Sequence, residues 1–145
     1  NTYEVKKLRE EEIKKGEDNG RFFFFAIRRK SDNRFLGFLS FPDVFWFNRY
    51  AFFKLRIGDP DLSKTYYVEA LNLALRYGFE ELGLYSIYTA TGDFEPEILK
   101  ALTDAGFNIS VRQRENVFRF GKLWDRIFVE ILQEAWVHQS GEVQS

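Results

Sequence analysis

Residues 22–41, FFFFAIRRKSDNRFLGFLSF, constrain the fold more than any other part of the chain. Two phenylalanine-rich apolar runs flank Ser31, Asp32, Asn33 and Arg34, residue types that favour a tight turn. The pattern predicts a β-hairpin. Neither run alternates apolar with polar residues, as a strand with one wet face would. Strands that read this way belong to a sheet covered on both faces. The chain has 145 residues, 45% of them hydrophobic and 17 of them Phe, enough for the core of a single domain. The Phe cluster is read as core, with an exposed aromatic binding platform as the alternative.

The rest of the chain supplies elements around that hairpin. Residues 2–15 are charged, with Val5, Leu8 and Ile13 near helical spacing, and predict an amphipathic helix. PDVFWFN reads as a loop or strand edge, because Pro42 stops a strand. RYAFFKLRI predicts a third strand. The stretch DLSKTYYVEALNLALRYGFEELGL predicts a helix from about Lys64 to Leu82. It is capped by Ser63 or Thr65 and ended by Gly83, and its buried face is Val68, Leu71, Leu75 and Leu82, with Ala74 and Gly78 beside it. LYSIYTAT predicts another strand. Pro96 suits the first position of a further helix, which Gly106 ends. The last long segment reads as two or three strands, with Phe120, Gly121 and Lys122 at a turn. This order gives an α+β layout with a mixed sheet. The domain is expected over residues 1–137, with a polar, disordered tail at 138–145.

Composition removes several function classes. Net charge is −1, which argues against a nucleic-acid partner held by bulk charge. There is no cysteine, so no thiol nucleophile and no cysteine-ligated zinc. Any histidine-based metal site or triad would rest on His138, and nothing around it supports one. No apolar run is long enough to span a bilayer and no signal-peptide pattern opens the chain, so a cytoplasmic protein is expected. Methionine is absent even at position 1, as expected of a chain that begins inside a longer precursor.

Five segments, in order, carry a family resemblance: FFFFAIRRKSDNRFLGFLSF, AFFKLRIGDPDL, VEALNLALRYGFEELGLYSIYTAT, ILKALTDAGF and RENVFRFGKLWDRIFVEIL. Together they resemble the GNAT superfamily of acetyl-CoA-dependent N-acyltransferases, nearest to the ribosomal-protein-alanine acetyltransferase type. The resemblance implies a mixed, mostly antiparallel sheet with helices on both faces and a V-shaped splay between strands 4 and 5 that takes acetyl-CoA. It also implies a strand and helix ahead of residue 2, a region that shapes the acceptor pocket and is expected to be missing here. Pantetheine would pair with Leu55, Arg56 and Ile57. Amides around Lys64, Thr65, Tyr66, Tyr67 and Val68, in the loop after strand 4 and the helix N-terminus, would hold the pyrophosphate.

The sequence departs from the family pattern at several of these places. Thr65 and Tyr67 stand where glycines are usual. Glu95 replaces an Asn, Leu102 a proton-donating Tyr and Phe52 a Glu. The residues left to move protons are Glu95, Tyr88 and Asp93. The implied function is acetyl transfer from acetyl-CoA to a primary amine, on a protein N-terminus or a small molecule. The alternative is a degenerate domain of the same fold acting as a binding or assembly module, its aromatic excess filling the cleft or forming a homodimer face.

Overall fold

The computed structural model describes residues 3–7, as backbone, and 20–137. The chain divides into two compact units, residues 1–84 and 85–145.

In the first unit the strands β1 (Tyr3–Lys7), β2 (Phe23–Arg29), β3 (Phe35–Phe45) and β4 (Tyr50–Ile57) lie side by side in that order. Each pairs antiparallel with the next. The β2–β3 hairpin closes as its turn residues require. Asn33 takes φ 59°, and Asp32 accepts the Arg34 amide at 3.1 Å and the Arg29 guanidinium at 2.6 Å. Asp32 is held at a pKa of about 2, first by Arg29 and then by the Arg34 amide. Gly37 is obligatory for a different reason. A Cβ there would sit 1.8 Å from the Arg56 carbonyl oxygen, so β3 and β4 approach only because residue 37 has none.

Two expectations change here. Residues 3–7 form a strand, not a helix. Val5 stands opposite Ile27, and the strand satisfies the β2 edge that would otherwise be left unpaired. The rest of the expected first helix, and the tail at 138–145, lie outside the described residues. β3 does not stop at Pro42 but runs on to Phe45, because a bulge absorbs the proline. Ser40 faces Lys54 while Asp43 faces Phe52, so three steps on β3 match two on β4. Phe41 and Val44 are therefore both fully buried, although they are three residues apart.

α1 (Pro60–Arg76) packs on β4 and buries Tyr67, Ala70, Leu71, Ala74 and Leu75. Val68, expected in that face, is 54% exposed. The stripe is turned by one residue, and Tyr67 supplies the larger apolar body. α1 then widens into a π-helical turn, Tyr77–Glu81, in which Leu82 N donates to the Tyr77 carbonyl at 3.0 Å. At that turn the Tyr77 ring meets Phe25 at 4.8 Å, Phe41 at 6.0 Å and Phe23 at 6.2 Å between centroids. Phe25 and Phe41 are thus core, packed edge-on or tilted against one tyrosine, while Phe22, Phe23, Phe24 and Phe38 are half-buried and Phe35 is exposed. Gly83, at φ 66°, ends the helical segment as expected.

The second unit holds β5 (Ser86–Gly92), α2 (Pro96–Asp104), β6 (Asn108–Arg119) and β7 (Lys122–Leu132). β7 lies between β5 and β6, antiparallel to both. Pro96 opens α2, and Gly106, at φ 108°, follows it as the sequence predicts. The β6–β7 turn has φ 53° at Phe120 and 76° at Gly121. No helix among the described residues is long and apolar enough to cross a membrane.

Candidate functional site

The first unit gathers all eight residues expected to hold acetyl-CoA at the end of β4 and the start of α1. Leu55 is buried, Ile57 half-buried and Arg56 exposed. The helix, however, begins at Pro60, four residues before the expected start. Lys64 to Val68 therefore lie inside it, and their amides serve its own i to i−4 ladder.

The donors left over at a helix start are taken too. Pro60 has no N–H. Asp59 Oδ1 accepts the amides of Asp61 at 2.8 Å and Leu62 at 3.3 Å, and the Asp59 carbonyl accepts that of Ser63 at 2.8 Å. Asp59, not Ser63 or Thr65, is the cap. The signal was present in the sequence: an aspartate followed by proline marks a helix start.

The side chains of the second turn are also committed. Thr65 Oγ1 donates to the Asp61 carbonyl at 3.2 Å. The Tyr66 phenol hydrogen-bonds the Arg29 guanidinium and, after Asp32, helps hold it above its ordinary pKa. Tyr67 is core, at 7% exposure. Lys64 remains as an exposed cation. Two carboxylates, Asp59 and Asp61, stand at the point where a pyrophosphate would need free amides. This helix end does not fit one.

The second unit holds the three residues expected to move protons. Tyr88 is half-buried on β5, opposite Glu130 of β7. Asp93 and Glu95 come together in the connection from β5 to α2. Asp93 Oδ1 accepts the Asp125 amide at 3.2 Å, and the Asp93 amide donates to the Asp125 carbonyl at 3.2 Å. Glu95 occupies the N-cap position of α2 but makes no side-chain capping bond. Its amide donates to the Gly92 carbonyl at 3.0 Å.

Two neighbours escaped the sequence reading. Arg112 Nη1 lies 2.6 Å from Asp125 Oδ2 and 3.8 Å from Asp93 Oδ2. Asp125 also accepts the Glu115 amide at 3.0 Å across an irregularity in β6, where Glu115 takes φ 48°. That amide first, and Arg112 second, hold the Asp125 carboxyl below the usual range. These partners lie far apart in sequence and meet only through the β6–β7 register, so no local motif announces them. Arg112, Arg114, Glu115 and Asp125 line an open recess of about 670 Å³.

Leu102 stands where the resemblance puts a proton-donating Tyr. It is fully buried, one of the largest side chains with no exposure. It packs as core. Thr91 was not singled out by the sequence. It is 7% exposed, and its Oγ1 has no hydrogen-bond partner among the described residues.

Comparison with known proteins places this geometry. No curated protein matches by sequence. Among solved structures, a chimera of the Vibrio cholerae spermidine N-acetyltransferase SpeG and hSSAT superposes with a TM-score of 0.83 at 18% identity, covering 94% of this chain and 99% of that one. SpeG from Vibrio cholerae in complex with manganese ions gives 0.83 at 17% identity, covering 96% and 97%. SpeG in complex with CoA and spermine gives 0.77 at 22% identity, covering 86% and 73%. At such identities the likeness establishes the fold, an α+β arrangement with a mostly antiparallel sheet. The family model for the acetyltransferase (GNAT) domain matches residues 2–108. The chain belongs to the GNAT acetyltransferase family.

Proposed function

We propose that this chain is an N-acetyltransferase that moves an acetyl group from acetyl-CoA to a primary amine, on a small molecule or a protein N-terminus. The observation that carries the reading is the family match over residues 2–108. A structural neighbour solved with CoA and spermine supports a thioester donor and an amine acceptor. The reaction class is acyl transfer: a C–N bond forms, a C–S bond breaks, the amine loses a proton and the thiolate gains one. Glu95 is the proposed proton acceptor, acting through water, because its carboxylate is not spent on capping α2. Tyr88 is the proposed proton donor. Asp93, bound to Asp125 and beside Arg112, takes a positioning role.

A second reading has a specific observation in its favour. The α1 start is closed by Asp59, and Leu102 is core, which suits a GNAT-fold binding module without turnover. Calorimetric titration with acetyl-CoA, alongside mass-spectrometric detection of acetylated products from an amine and N-terminal peptide panel, separates the two. Heat with product supports the enzyme. Absence of both supports the module.

A further inference from the structure

We infer that Asp59 occupies the seat a donor's pyrophosphate would take at the start of α1, so that this chain recognises an acetyl thioester by its pantetheine arm rather than by its nucleotide diphosphate. The inference rests on the acetyltransferase reading for its donor, but its structural premise is independent of that reading.

The premise is an inventory of the first-turn amides of α1. Of the first four residues of α1, Pro60 has no N–H, and the other three amides end on Asp59: two on its carboxylate, one on its carbonyl. A helix start attracts anions because such amides and the helix dipole point outward together. Here the anion is supplied by the chain. A carboxylate on the neighbouring residue has an effective concentration that a free ligand does not reach. Asp61, in the first turn, adds a second negative charge against any incoming phosphate. The amides from Lys64 onward cannot substitute, because they belong to the helix ladder. Exposed Lys64 attracts anions only as a point charge on a flexible stem, without a cradle.

The test compares acetyl-CoA with acetyl-pantetheine by calorimetry, using the wild-type chain, Asp59→Gly and Asp59→Asn. Glycine is tolerated at a helix N-cap and vacates the seat. Asparagine caps as well as aspartate and keeps the seat filled without the charge. Thermal melts confirm that each variant is folded. Wild type and Asp59→Asn should prefer acetyl-CoA by no more than about threefold, and Asp59→Gly by about tenfold or more. A wild-type preference already at about tenfold overturns the inference. So does a ratio unmoved in Asp59→Gly, or an equal gain in Asp59→Asn. If neither thioester binds any form, the acetyltransferase reading fails, and inorganic pyrophosphate alone then decides the premise. Heat with Asp59→Gly and none with wild type supports it; no heat with either, or equal heat with both, overturns it.

Discussion

The Arg49 guanidinium donates twice to the Gly83 carbonyl, at 2.9 Å from Nε and 2.7 Å from Nη2. The contact ties the β3–β4 turn, where Arg49 takes φ 57°, to the residue that ends the helical segment. A planar fork suits two bonds to one oxygen, and a lysine does not reproduce it. Arg49→Ala should cost about 1 kcal/mol in urea unfolding, with Arg49→Lys recovering only part. Full recovery by lysine would show that charge, not the fork, matters.

Leu71 is fully buried on α1, while Val68 is 54% exposed. Leu71→Ala should cost about 2–5 kcal/mol. Val68→Ala should stay within about 0.5 kcal/mol. Equal losses in the two variants would return Val68 to the packed face.

Leu102 has no exposed surface, so a tyrosine there must displace its neighbours. Leu102→Tyr should lose about 1–3 kcal/mol of stability and gain no turnover with any amine. A rise in kcat without loss of stability would show that position 102 can carry a proton donor.

Asp32 and Asp125 both titrate below the ordinary carboxylate value. A depressed carboxylate contributes stability above its unfolded pKa and loses it as pH falls through its folded one. For Asp32 the window runs from 3.8 down to about 2. Asp125→Asn should therefore lower the melting temperature at neutral pH, and the gap from wild type should close as pH drops below 3.8. A gap that persists unchanged into strong acid would show that the Glu115 and Arg112 contacts do not depend on the charge.

Where short-range chemistry decides, the sequence was legible. The Asp32–Asn33 turn, Pro96, and the glycines at 83, 106 and 121 each require a conformation that few residues supply, and each lies where expected. The start of α1 is spelled by Asp59 and Pro60, a local capping signal that outweighs the family's phosphate-turn pattern. Val68 and Tyr67 are adjacent, and one step round a helix is finer than apolar spacing resolves. Tyr3–Lys7 is a strand only because β2 offers it a partner, which no window on residues 2–15 contains. Of the candidate site, Asp93 was named from the sequence, but Arg112, Asp125 and the hydrogen bonds around them were not. Those of Asp93, Asp125 and Arg112 exist only once two strands have set their register.

Pro42 has one more consequence. With it removed on paper, Ser40, Phe41, Asp43 and Val44 would meet Lys54, Phe53, Phe52 and Ala51 one for one, and each would keep the face it has now. The proline is a silent letter in the strand: spelled, but skipped when β4 reads β3. A chain lacking it should fold to the same inside and outside. A deletion at Leu39, two residues beyond the start of the paired segment and outside the bulge, would put the neighbouring side chains on the wrong faces. Comparisons that place a one-residue gap in this strand should place it at position 42.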